Sequence, residues 1–199
     1  MSAFNKAIAR FDEENAQDPN AEVIDGKSQP RELVYAQRLT EWVRKLAPNA
    51  SEALLLAARC QHICRWKIPR TSYPMDRAGY LKWRTELKNF HAAKSGAILR
   101  EVGYDEETVG KVQDLNLKKN FPKDPESRVL EDGLCLLFLE HQLAELAERF
   151  DEAKMINAIQ KSWIKMSPQA REEALKIPMS QRALHLVAKA LSGLQPKTQ

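Results

Sequence analysis

Long hydrophobic runs are missing from this chain. The longest, such as Leu134 to Leu139, fall far short of the roughly 20 apolar residues that a membrane-spanning helix requires. The N-terminal stretch mixes charges too freely for a signal peptide, so a cytoplasmic protein with no membrane partner is expected. Glycine is scarce, with 7 residues among 199, and 10 prolines are scattered, which excludes collagen-like and low-complexity chains. Cysteine is scarcer still: three residues, an odd number without framework spacing, argue against a disulfide-stapled secreted domain. Cys60 and Cys64 lie on a predicted helix and His62 between them points about 200° away, a poor geometry for zinc. They are expected to be buried structural thiols. Alternation of period two and internal repeats are absent too, so strands should be few or none.

What is present is globular composition, 43% hydrophobic and 29% charged, in segments of helical period. The expected fold is an all-α, single-domain helical bundle, with a core over about residues 1–150 and C-terminal helices over 151–199 packed on it. Helices are predicted over Ala3–Ala16, from Pro30 to Ala47, from a cap at Asn49 with Glu52 three residues later through about Arg65, over Arg77–Val102 and over Asp105–Lys118. Asp124-Pro125 reads as a cap followed by proline at the first helical position, opening a long helix to about Arg149. Three shorter helices follow, Glu152–Lys165, Pro168–Lys176 and Ser180–Leu194, then a frayed basic tail. Asn20–Gln29 reads as a loop. Trp66–Met75, with two prolines beside Trp, Ile and Tyr, reads as an ordered loop of the kind that carries sites.

Charge is unevenly spread. Arg59 to Arg100 contains ten basic and two acidic residues, a net +8, so the remainder sums to −4 against the total of +4. Such a stretch suits an anionic ligand such as phosphate or nucleic acid, although the simpler reading is a solvated helix face. A second signal comes from ionisable groups on apolar stripes, where burial is costly without a partner. Glu32 shares a face with Ala36, Leu39 and Val43; His62 with Leu55 and Ala58; His91 with Leu87 and Ile98; Asp132 with Val129, Leu136 and Leu139. Two imidazoles and two carboxylates turned inward on four helices suit a transition-metal site, or else a buried hydrogen-bonded network that only joins helices.

The string Ala57-Ala58-Arg59-Cys60-Gln61-His62-Ile63, followed by His91 and then Leu130-Glu131-Asp132, resembles the order of motifs in the HD-domain superfamily of metal-dependent phosphohydrolases. Gln61-His62-Ile63, Arg65-Trp66-Lys67-Ile68-Pro69-Arg70 and Tyr73-Pro74 resemble more closely the recurrent string of a family catalogued as a domain of unknown function. That likeness runs from about Phe4 to Ser167 and implies no settled activity. The HD likeness implies that His62 stands for the His of the His-Asp doublet, Asp132 for the last metal-binding Asp and His91 for an additional His. Glu32, or Tyr35 one turn later, falls near the first metal-binding His, and Lys118 or Lys119 near a position that is often His. Ile63 replaces the doublet Asp, so the usual two-metal site cannot form in its standard shape.

The expected function is a metal-dependent phosphohydrolase acting on a small phosphoester, foremost a nucleotide. Glu32, His62, His91 and Asp132 would hold Mn, Fe, Zn or Co. Lys118, Lys119 and Glu131 complete the candidate catalytic set, and Arg65, Trp66, Lys67 and Arg70 the candidate set for the anionic ligand, with Trp66 a stacking surface for a base. The alternative is a catalytically degenerate HD-like module that binds nucleotide or RNA, which Ile63 favours.

Overall fold

A computed structural model describes residues 1–194; the basic tail lies outside the described residues. The described chain is all-α, with one small hairpin. In order it forms α1 (Ala3–Asn15), β1 (Ala21–Ile24), β2 (Lys27–Pro30), α2 (Arg31–Leu46), α3 (Glu52–Cys60), α4 (Arg77–Glu101), α5 (Glu106–Leu117), α6 (Pro125–Leu137), α7 (Leu143–Arg149), α8 (Glu152–Lys165), α9 (Pro168–Ala174) and α10 (Gln181–Ser192). The chain divides into two compact units, Met1–Ser127 and the part from Arg128 on.

Helix starts follow from side-chain capping. Ser2, Ser51, Asp76, Asp105, Asp151, Ser167 and Ser180 each accept the backbone N–H three residues on, satisfying a donor that the helix itself leaves open. Asp124 does the same for Ser127 ahead of α6, as its sequence predicts. The cap of α3 is Ser51, not Asn49: Ser51 Oγ accepts from Leu54 N–H at 3.1 Å.

In the first unit the stripes of α1 to α5 meet around Phe11, Leu39, Val43, Leu54, Leu56, Ile63, Leu99, Val109 and Val112, all buried. Each such side chain contributes about 1.5–3 kcal/mol by leaving water. Arg59 of α3 adds a two-pronged pair with Asp12 of α1, Nε to Oδ1 and Nη2 to Oδ2 at 2.6 Å each. The second unit is built around Leu136, Leu137, Leu143, Met155, Ile159, Ala170, Leu186 and Ala190. Cys60, Cys64 and Cys135 are free, buried thiols.

Three further sequence expectations are corrected. Asn20–Gln29 is not a plain loop: β1 and β2 pair antiparallel, Ala21 with Pro30 through Ile24 with Lys27. The turn between them is Asp25-Gly26, both at positive φ, 49° and 75°, the conformation that tight hairpins require. Helix α3 stops at Cys60 and does not reach Arg65, because Cys64 turns left-handed at φ 53°. Its N–H donates to Asn15 Oδ1 at 3.0 Å. The helix expected to run unbroken to Arg149 passes through one π turn over Phe138–Gln142.

Candidate anion site around His62

The site grows from the irregular ends of its helices. Helix α2 begins after Pro30, which offers no side-chain cap; Asp18 supplies one from outside, its Oδ2 accepting Glu32 N–H at 3.0 Å. That bond fixes Glu32 in the first turn, with Tyr35 on the same face. Beyond α3, the turn closed by Cys64 carries His62 and Ile63, and a short 3-10 turn then presents Arg65. His91 faces inward from the middle of α4 and is 2% exposed.

His62 is the hub. Its ring stacks on Tyr35, with centroids 4.3 Å apart and planes 17° from parallel, and lies 5.8 Å from the His91 ring. Nε2 is 3.4 Å from Arg65 Nη1 and Nδ1 is 3.7 Å from Glu32 Oε2. A guanidinium can only donate, so Nε2 presents its lone pair and the proton is assigned to Nδ1, toward Glu32. Arg65 Nε is 3.9 Å from Glu32 Oε1, and its guanidinium lies over the Trp83 ring at 5.1 Å.

Electrostatics sharpen the picture. Burial, then the charges of Arg65, Lys118 and Arg84 with that of His91, hold the His62 pKa well below the usual imidazole value. Burial also pushes Glu32 up to about 7, against the counteracting charge of Arg65. The positive end of α2 favours its carboxylate by about 1 kcal/mol, and desolvation, at several kcal/mol per ion, outweighs it. His91 falls to about 4, chiefly through burial. Its Nδ1 lies 2.8 Å from the Ile63 carbonyl, which fixes the proton there and leaves Nε2 a buried lone pair with no protein partner. Ile63, where the HD likeness expects an Asp, thus serves through its backbone.

A family model described as a domain of unknown function (DUF4202) matches residues 5–187. The chain belongs to that family. No curated protein and no solved structure matches it.

Within this DUF4202 chain the sequence candidates fall in both units. Glu32, His62, Arg65 and His91 come together in the first unit, with Lys118 and Arg84 close enough to act on His62. Lys118 is the left-handed cap of α5, at φ 58°. Lys119 turns to Asp114, at 2.5 Å. Lys67 is exposed and acts on Glu14 and Cys64 instead. Arg70 braces its own loop by donating to the carbonyls of Tyr73 and Asp76. Trp66 is half-buried. In the second unit Asp132 is buried and accepts Ser167 N–H at 2.9 Å, and Glu131 pairs with Lys165 at 3.0 Å.

Each candidate metal ligand has its own contacts. His62 Nε2 faces a guanidinium, Asp132 is engaged by Ser167, and among the described residues no three His, Cys, Asp or Glu side chains stand together as metal ligands. Trp83 and Arg84 carry no signal in the sequence that singles them out, Arg84 being one of ten basic residues between Arg59 and Arg100. Tyr35 carried a signal: it lies three residues after Glu32, on one helix face.

Proposed function

We propose that the first unit is an HD-like helical module that binds the phosphate of a small phosphorylated ligand, foremost a nucleotide, at the His62–Arg65 site without a resident metal. The observation that carries this reading is the charge around His62. Arg65, Lys118 and Arg84 all act on its ring, while burial pushes the adjacent carboxyl, Glu32, up to about 7 and so disfavours its charge. A cluster of cations with so little negative charge beside it favours an anion. Arg65 supplies the planar donor fork that suits phosphate oxygens, and Trp83 beneath it restricts its motion. His62 Nδ1–H and the Tyr35 stack keep the imidazole in one orientation.

RNA is the less supported ligand. Of the cationic loop residues only Arg65 reaches the site; Arg70 is spent on its own loop and Lys67 faces elsewhere. One small anion fits this set better than an extended backbone. No helix among the described residues is long and apolar enough to cross a membrane.

Calorimetric titration of the full chain with inorganic phosphate, a nucleoside monophosphate and a nucleoside triphosphate tests this. Binding weakened by about tenfold in Arg65→Ala is expected, the worth of one charge-assisted hydrogen bond. The affinity should also fall as salt rises. Absence of heat with all three ligands, or an unchanged affinity in Arg65→Ala, contradicts the assignment.

A further inference from the structure

We infer that His62 is a nucleophile that takes a phosphoryl group from its ligand onto Nε2. The inference rests on the phosphate-binding reading above and goes beyond it, from binding to transfer. Nucleophilic catalysis by histidine needs an unprotonated ring nitrogen, a proton held on the other ring nitrogen, a fixed ring and cations that receive the phosphoryl oxygens. Each is present at His62. Nε2 faces the Arg65 guanidinium at 3.4 Å, so a phosphate held by Arg65 lies beside the lone pair. Nδ1–H is turned toward the Glu32 carboxyl at 3.7 Å. Tyr35 clamps the ring face at 4.3 Å. The other histidines lack this set: His91 is 2% exposed with its ring turned to the Ile63 carbonyl, His141 Nε2 lies 3.0 Å from Glu140, and His185 is exposed on α10.

In the step, the Nε2 lone pair attacks the phosphorus of a phosphomonoester. An N–P bond forms as the bond from phosphorus to the ester oxygen breaks, and that oxygen leaves with its electron pair and takes a proton from solvent. The ring then carries both the phosphoryl group and Nδ1–H, and the positive charge this creates faces the Glu32 carboxyl. Arg65, with the fields of Lys118 and Arg84, offsets charge on the peripheral phosphoryl oxygens. Water then attacks the phosphorus, losing a proton to solvent; the N–P bond breaks and inorganic phosphate leaves with His62 restored.

The experiment is adduct mapping on the full chain incubated with para-nitrophenyl phosphate or acetyl phosphate, quenched in alkali and read by peptide mass spectrometry, with calorimetric binding of inorganic phosphate in parallel. The result expected is one phosphoryl group on the His62 peptide, stable in alkali and lost in acid, with labelling reduced at least about tenfold in His62→Gln. Phosphate binding without any label on His62, or a label that survives acid as a serine or threonine ester does, overturns the inference and leaves the binding reading standing. No phosphate binding and no label overturn both. The mapping on the unaltered chain decides the matter even if His62→Gln does not fold.

Discussion

Replacing Glu32 by Gln isolates the most strongly perturbed carboxyl of the site. Its pKa moves from 4.5 in the unfolded chain to about 7 in the folded one, because burial disfavours the charge more than Arg65 favours it. The folded protein then holds the proton more tightly than the unfolded chain. Stability is therefore unaffected by this group below pH 4.5, falls as pH rises from 4.5 to 7, and stays low above 7. At about 1.4 kcal/mol per pH unit, the full loss is about 3 kcal/mol. His91 works the other way: its pKa drops to about 4 in the folded state, so stability is lost as pH falls from the ordinary imidazole value through that range. The two trends oppose each other in the wild type, and only the difference between wild type and Glu32→Gln exposes the carboxyl. Urea unfolding of both proteins between pH 4 and 8 should show equal stability at the acid end and a variant about 3 kcal/mol more stable at pH 8. Parallel curves across that range would refute the argument that Glu32 is desolvated.

Other structural assignments are as open to test. Arg59→Ala removes both bonds to Asp12, in a pair whose side chains are 13% and 28% exposed; a loss of about 2 kcal/mol is expected by chemical denaturation, less than for a fully buried pair. Gly79→Ala would ordinarily favour a helix by about 1 kcal/mol. Here the added Cβ would meet the Pro74 carbonyl oxygen at 2.2 Å, so a lower melting temperature is expected, with the loop before α4 displaced in hydrogen exchange. Asp132→Ala strips the Ser167 N–H of its acceptor and should cost about 1–2 kcal/mol, measured by thermal unfolding.

The helices were legible because their signals are local. The apolar stripes that place Glu32, His91 and Asp132 inward, and the Asp124-Pro125 start of α6, need no knowledge of distant parts of the chain. The hairpin was also written locally, in Asp25-Gly26, but its flanking strands are only four residues each, too short for a polar-apolar alternation to stand out in the sequence. The end of α3 was not legible, since it depends on Cys64 turning left-handed against Asn15, a partner 49 residues away. The π turn over Phe138–Gln142 carries no proline or glycine to mark it. For the site, periodicity identified buried ionisable groups without saying which meet. His62 and Arg65, three residues apart, meet on the turn beyond α3, whereas Asp132 found Ser167. Conversely, Arg70 and Lys67 shared the basic loop with Arg65, and charge counting could not see that only Arg65 turns toward His62.

The measurement closest to the central claim is ring-nitrogen NMR of histidine-labelled protein titrated with inorganic phosphate. The account predicts that His62 Nε2 shifts progressively and saturates, that His91 follows to a smaller extent, and that His141 and His185 stay where they are. Phosphate that shifts none of the four histidines, or shifts His141 and His185 in place of His62, would contradict it.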